Sequence, residues 1–214
     1  MRPGLDGDRD ALREAVAGPG PVVVLVLHGG RAHSLAPARR WGLAALRMRP
    51  FIHELRRALS GQDATVVPVR YRVRGWNGER ADAAVDARRA VAEAAGLPGR
   101  PRIVLVGHSM GGRAALAAAD HPQVTAAVAL APWTPAGEPV DHLKGRTVHI
   151  LHAPEDQVTD PAASKDFAER ARRIGAEATW EPIPGSGHAM LGRAGTWHRR
   201  TAAVIHDHLA QPRA

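Results

Sequence analysis

Ile103-Val104-Leu105-Val106-Gly107-His108-Ser109-Met110-Gly111-Gly112, residues 103–112, runs directly into the alanine- and leucine-rich stretch Arg113 to Asp120. The apolar run Ile103 to Val106 predicts a buried strand, and the stretch after it a helix. Joining the two without a loop forces a sharp turn at Ser109. Such a turn crowds the backbone around the serine, and Gly107 and Gly111 keep its neighbours small. The hydroxyl is thereby lifted clear of the sheet. The Met110 N–H is left free at the start of the helix, where it can stabilise negative charge.

Outward from this turn, strand and helix patterns alternate. Val22 to Leu27 is a continuous apolar run, as expected of a strand covered on both faces, and His28-Gly29-Gly30 ends it. Leu46 to Leu59 predicts an amphipathic helix stopped by Gly61, and Thr65 to Val69 a strand. A loop with Arg70, Tyr71, Arg72, Arg74, Trp76 and Asn77 leads to a helix over Ala81 to Ala95. After the central turn come a strand at Val124 to Leu130, a Pro- and Gly-containing connection at Ala131 to Arg146, and a strand at Val148 to His152. A helix over Pro161 to Ile174, an alternating strand over Glu177 to Ile183 and a helix over Thr196 to Leu209 complete the chain. Alternation of this kind implies an α/β fold, a three-layer αβα sandwich with a mostly parallel central sheet of about six strands. Residues 1–20 are expected to form an N-terminal arm and 21–214 a single domain.

The totals bound the chemistry. With no cysteine in 214 residues, the chain has no disulfide, thiolate nucleophile or cysteine-based zinc site. The charged Met1 to Ala17 segment lacks a signal-like apolar run, and Val22 to Leu27 is too short to span a bilayer, so a cytoplasmic protein without a membrane span is expected. The net charge of +8 raises the question of nucleic acid. Arginine pairs at 39–40, 56–57, 88–89, 172–173 and 199–200 are scattered, mostly over separate helical candidates, and no nucleic-acid partner is expected. Arg70, Arg72 and Arg74 alone form a tight group, which fits either a solvated strand end or selection of an anionic substrate.

Reactive residues of an open parallel sheet belong just after the strands. A serine hydroxyl is a weak nucleophile that needs an adjacent base, itself oriented by a carboxylate. Asp156 follows the strand ending at His152, with Glu155 and Asp160 as rivals. Asp160, directly before Pro161, suits a helix N-cap better. His188 follows the last strand in Gly185-Ser186-Gly187-His188. The pairs His149/His152 and His206/His208 each point to different faces and make no metal site. His108, inside the turn, is expected to pack there.

The order Ser109, Asp156, His188, the Gly-His-Ser-Met-Gly turn and the His152 to Pro161 loop together resemble the α/β-hydrolase family, over nearly everything from Val22 onward. The resemblance implies a nucleophile at Ser109, an acid at Asp156 and a base at His188. It also implies an oxyanion hole made by the N–H groups of Met110 and of Gly30, with Arg31 as the alternative to Gly30 and His28 bracing that loop. Ala131 to Arg146 is too short for a helical cap, and little precedes Val22, so a minimal core without a cap domain or the early strands of larger members is expected. Trp76, Trp133 and Arg31 are candidate substrate-binding residues, although loop aromatics also pack without any ligand. The implied function is a serine hydrolase cleaving a small-molecule carboxylic ester or thioester through an acyl-enzyme, with neither metal nor organic cofactor. The alternative is a non-catalytic ligand-binding or sensing protein on the same fold.

Overall fold

The structure is a computed structural model and describes residues 22–211; the expected arm at 1–20 lies outside the described residues. Its elements are β1 (Val22–Leu27), α1 (Leu43–Arg47), α2 (Arg49–Ala58), β2 (Ala64–Pro68), α3 (Asp82–Ala95), β3 (Arg102–His108), α4 (Met110–Ala117), β4 (Val124–Leu130), β5 (Thr147–His152), α5 (Pro161–Arg173), β6 (Glu177–Pro182) and α6 (Ala194–Ala210). Six strands form one sheet in the order β2-β1-β3-β4-β5-β6, every neighbouring pair parallel. The chain runs from β1 outward to β2, then returns past β1 to β3. The order therefore reverses between β1 and β3, which leaves a crevice beyond their carboxyl ends.

Alternation along the strands builds two cores. Val23, Leu25 and Leu27 of β1 join Leu105, Ala87, Val91, Leu116 and Phe167 beneath α3, α4 and α5. Val22, Val24 and Val26 face the opposite layer, with Phe51 and Leu55 of α2 and Trp197 and Ile205 of α6. All six β1 residues are buried, which is why this strand is apolar throughout rather than alternating. Pro68 is tolerated at the end of β2 because that strand lies at the sheet edge.

The element boundaries depart from the sequence reading in two informative places. The helix expected over Leu46 to Leu59 is two helices, broken at Met48. Pro50 has no N–H to give a preceding carbonyl and its ring crowds the turn before it, so the chain restarts with Pro50 in the first turn of α2. The helix expected from Arg113 begins at Met110 and ends at Ala117. Here the turn is tighter than the apolar pattern suggests, and Ser109 itself is the last non-helical residue. The connection from β4 to β5 contains only a 3-10 turn at Asp141–Leu143, so no helical cap interrupts it.

At the β3–α4 junction the backbones nearly touch. A Cβ on Gly111 would sit 2.5 Å from the carbonyl oxygens of both Leu27 and His28, whereas one on Gly187 would have nothing within 4 Å. Gly111→Ala is therefore expected to lower stability by about 1–3 kcal/mol, the usual range for overpacking a filled site, with Gly187→Ala close to neutral. Urea melts of the two variants side by side measure this.

Complete or partial burial holds several histidines below their ordinary range. Burial, followed by the charge of neighbouring His188, pushes His108 down to about 3. Burial likewise lowers His28, His149, His152 and His208. In the unfolded chain a histidine takes up its proton near pH ~6.5. Below that pH the unfolded state binds a proton that the folded state refuses, so stability is full above about pH 6.5 and falls as acid is added. His108→Gln, which keeps an N–H donor at the Nε2 position, is expected to flatten the acid side of the stability profile by about 1.4 kcal/mol per pH unit. Urea midpoints between neutral pH and pH ~4.5 read this slope.

Candidate active site

Ser109 sits at the end of β3 with φ 56° and ψ −119°, a conformation that L residues rarely adopt. Such strain costs roughly 1–3 kcal/mol and persists where the surroundings over-determine it. Here they do. A Cβ at Gly107 would collide with the Gly111 carbonyl, so the turn closes only with glycine at both ends of the motif. The Ser109 N–H donates to the Leu130 carbonyl at 3.0 Å, and the Ser109 carbonyl accepts from Arg113 and Trp133 at 3.1 and 3.2 Å. The Ser109 backbone is thus tied to the end of β4 and to the first turn of α4.

The loop after β1 lies against this turn. A Cβ on Gly29 would touch Ser109 Cβ at 3.5 Å, and one on Gly30 would collide with the Met110 side chain and the Arg74 carbonyl. Neither the Gly30 N–H nor the Met110 N–H is engaged by another group among the described residues. The Arg31 N–H, by contrast, donates to the Arg74 carbonyl at 2.9 Å. Two unoccupied donors therefore flank Ser109, and Arg31 is not one of them. His28 Nδ1 lies 2.7 Å from the Gly29 carbonyl, and its ring packs edge-on against Tyr71 at 4.6 Å.

His188 reaches the turn from the loop after β6. Its Nε2 is 3.0 Å from Ser109 Oγ, and its Nδ1 is 2.8 Å from Asp156 Oδ2. A carboxylate only accepts, so Nδ1 carries the proton and Nε2 is left to accept from the serine hydroxyl. The loop is fixed from several sides. The His188 carbonyl accepts from His108 Nε2 at 2.9 Å. Ser186 Oγ donates to the Gly192 carbonyl at 2.7 Å and accepts from Nε1 of fully buried Trp197 at 2.8 Å. Of the rival acids, Glu155 accepts from the Gly185 N–H at 3.2 Å, and Asp160 caps α5 by accepting from the Ala162 N–H at 2.8 Å.

Asp156 is surrounded by donors. Its Oδ1 accepts from the N–H groups of Val158 and Thr159 at 2.8 and 3.1 Å. Around Oδ2, besides His188, lie His152 Nε2 at 3.1 Å and Thr159 Oγ1 at 2.9 Å. Burial alone would raise this carboxyl, but the Val158, His188 and Thr159 bonds outweigh it and hold the acid below its ordinary range. His152 is itself fully buried, its Nδ1 2.7 Å from Ser164 Oγ, which also accepts from Trp180 Nε1 at 2.9 Å. A polar chain thus runs from Trp180 through Ser164 and His152 to the carboxylate. Sequence reasoning weighed His152 only as a metal ligand and passed over Thr159 and Ser164. The usable signal was Thr159, three residues past Asp156, where such residues commonly close an Asx-type turn.

The other candidates are spread out. Trp76 is buried and Trp133 half-buried, their rings 6.2 Å apart edge-on. The Arg113 guanidinium stacks on both, at 3.9 and 4.6 Å, while held by Glu138 at 2.8 and 2.6 Å. Packing accounts for Trp76 fully; Trp133 keeps an exposed face beside the Ser109 carbonyl. Arg31 is exposed and bridges to Gly75 at the rim. Among the described residues no helix is long and apolar enough to cross a membrane.

A family model described as the alpha/beta hydrolase family matches residues 23–146, from β1 through the Ser109 turn but short of Asp156 and His188. No curated protein sequence matches the chain. Solved structures of similar shape include a predicted CIB-like hydrolase from Thermoplasma acidophilum, at 20% identity and TM-score 0.63, covering 90% of this chain and 89% of that one. A monoacylglycerol lipase from Paleococcus ferrophilus aligns at 15% identity and TM-score 0.63, covering 90% and 98%. Est1E from Butyrivibrio proteoclasticus, solved with ferulic acid bound, aligns at 14% identity and TM-score 0.63, covering 90% and 91%. At such identities these neighbours establish likeness of fold alone. Since the family model spans more than half of the sequence and the sheet and its crossings agree with it, the chain belongs to the alpha/beta hydrolase family.

Proposed function

We propose that this hydrolase cleaves a carboxylic ester or thioester of a small molecule through a covalent acyl-enzyme. The observation that carries the reading is the single imidazole of His188, 3.0 Å from Ser109 Oγ on one side and 2.8 Å from Asp156 on the other. Ser109 Oγ attacks the carbonyl carbon as His188 Nε2 takes its proton. The oxyanion forms beside the Gly30 and Met110 N–H groups. Its collapse expels the alcohol or thiol, which leaves with the proton held by His188. Water then attacks the acyl-enzyme, His188 removes a proton from it, and the acid departs as Ser109 recovers its hydrogen. Asp156 keeps Nδ1 protonated and stabilises the imidazolium at each half-reaction.

The surroundings support this assignment. Ser109 is strained in a half-buried turn, the N–H groups of Met110 and Gly30 are free among the described residues, and the acid is kept ionised by its donors. Lipase and esterase neighbours share the fold. No α-helix is inserted between β4 and β5, which supports a site without a helical cap, and Trp133 and Arg31 are the candidates for contact with substrate. His152 acts here as a positioning residue, fixing the carboxylate that fixes His188.

A fluorophosphonate probe is expected to label the wild-type chain, to fail on Ser109→Ala and to fail on His188→Ala. Turnover of a graded series of p-nitrophenyl esters and acyl thioesters should fall by about 10⁶-fold in Ser109→Ala, as for loss of a serine nucleophile elsewhere. A folded wild-type protein that is not labelled and turns nothing over, yet binds esters saturably, would replace this reading with the binding-protein alternative. His152→Leu is expected to lower kcat about 10-fold with KM unchanged, the scale of one lost hydrogen bond to a charged group. His152→Gln, whose amide N–H can reach the same oxygen, should restore most of it. Equal losses in both variants would reduce His152 to a packing residue.

A further inference from the structure

On the β2 side of the sheet, away from Ser109, lies a cleft of about 900 Å³ where the exits of β1 and β2 meet α2 and α3. Pockets that bury small-molecule ligands span ~300–1,000 Å³. Neither Ser109, Met110 nor His188 lines this one. Its base is apolar, with Leu25, Val26, Val67 and Val69.

The walls carry one sign of charge. The loop before α1 contributes Arg39 and Arg40, and α2 contributes Arg49 and Arg56. Arg70 and Arg72 come from the strand exit and Arg89 from α3, so seven arginines face a single lining carboxylate, Glu93. Part of this charge is neutralised from behind. Buried Asp86 pairs with Arg72 at 2.6 Å and Arg89 at 3.2 Å. Of the other five, Arg70 is engaged elsewhere, and four are not matched in this way. Arg40 and Arg49 lie against the Trp41 ring at 5.4 and 4.7 Å, Arg56 donates only to the Val66 carbonyl at 3.0 Å, and Arg39 is exposed. None of these four has an acidic partner among the described residues. Trp41 between them is 60% exposed, a large aromatic left in water. At the base, the Tyr71 hydroxyl is buried without a hydrogen-bond partner among the described residues, and burial keeps it protonated.

Unpaired guanidinium groups around a concavity focus positive potential into it, and their forked donors match phosphate oxygens two at a time. The arginines converge on a cavity of molecular size instead of running as a stripe. An exposed indole beside them offers a planar group to stack against. We propose that this cleft binds a small, multiply charged phosphorylated ligand, at a site separate from the Ser109 centre. A phosphate chain would lie among Arg39, Arg49 and Arg56, with any aromatic portion on Trp41. His28 lines the cleft and leads directly into Gly29 and Gly30, so occupancy lies one turn of chain from the oxyanion donors.

The test is isothermal titration of the full chain, with Trp fluorescence in parallel, in buffer of ~50 mM salt where exposed charges are weakly screened. Inorganic tripolyphosphate probes the phosphate chain alone, ATP adds an aromatic group, and vesicles containing phosphatidic acid probe a lipid headgroup. The expected result is saturable 1:1 binding of tripolyphosphate, with ATP tighter and the gain lost in Trp41→Phe. Arg49→Gln with Arg56→Gln should weaken binding about 10-fold or more, the scale of losing charge-assisted bonds. Arg39→Gln with Arg40→Gln, in a loop where no helix contact is at stake, should do the same if the first pair perturbs folding. Arg172→Gln with Arg173→Gln removes the same charge from α5 and should leave affinity unchanged. Equal weakening by all three pairs, stoichiometry above one, or binding to vesicles with none to tripolyphosphate would overturn the proposal. Ester turnover is not needed as a readout, so this result stands or falls independently of the Ser109 chemistry.

Discussion

The approach of two backbones, the β1 exit and the first turn of α4, governs the rest of this molecule. Gly111 rests against the carbonyls of Leu27 and His28 at a distance that excludes any side chain. Because β1 and β3 are parallel and in register from Val22↔Arg102 to Leu27↔Gly107, both strands end at one level. The loop after β1 and the turn after β3 must then share the same small volume. That coincidence sets Gly29 against Ser109 and Gly30 against Met110, so the two N–H groups proposed as oxyanion donors belong to segments that backbone packing alone brings together. Backbone donors have no rotamers to lose, which suits a task where charge appears suddenly and the groups meeting it must already be aimed.

The topology makes that volume available. The chain departs from β1 toward β2 and returns on the other side to β3, so no crossover helix covers the space between their ends. Asp156 and His188, the proposed acid and base, follow β5 and β6, two and three strands away. Reaching across that distance needs loops, and loops need holding. Trp197 and Ser186 hold the histidine loop from below, His108 from the side and Glu155 from the neighbouring loop. Most of the polar atoms near the triad therefore serve position before chemistry.

How much of this was legible in the sequence follows from the range of each interaction. The fold was, because it rests on local patterns: an apolar run buried on both faces, helices of matching period, and turns marked by glycine and proline. Ser109 was, because a turn so tight writes itself into residues within two positions. Asp156 and His188 could be narrowed by their places after strands, and Asp160 could be set apart as a cap by Pro161. The break at Met48 was visible in Pro50 but outweighed by an apolar period that continued through it. His152, Ser164 and Trp180 left no such trace. Their partnership depends on β5, α5 and β6 meeting in space, and a histidine on a strand looks the same whether it faces a carboxylate or water. The arginine cleft was only half visible. Arg70 and Arg72 read as a group with Arg74, whereas Arg39 and Arg56 belong to scattered pairs and Arg49 carries no signal of its own, and only folding gathers them.

The two ends of this sheet treat charge in opposite ways, and the difference follows from burial. Near Ser109 the less exposed ionisable groups are compensated at short range: Asp156 by its ring of donors, Arg113 by Glu138, His108 by remaining neutral. An uncompensated charge there would be expelled or would shift its protonation. On the β2 side the arginines lie at the surface, where water already solvates a guanidinium and leaving it unpaired costs little. The cost that remains is mutual repulsion, and a surface could dilute it by spreading the residues apart. Here Asp86, fully buried, neutralises Arg72 and Arg89, while Arg39, Arg40, Arg49 and Arg56 stay without an acidic partner among the described residues around an exposed tryptophan. Solvation explains each arginine taken singly. It does not explain why four arginines without an acidic partner are gathered with an exposed tryptophan around one concavity, an arrangement that suits a multiply charged anion entering from solvent.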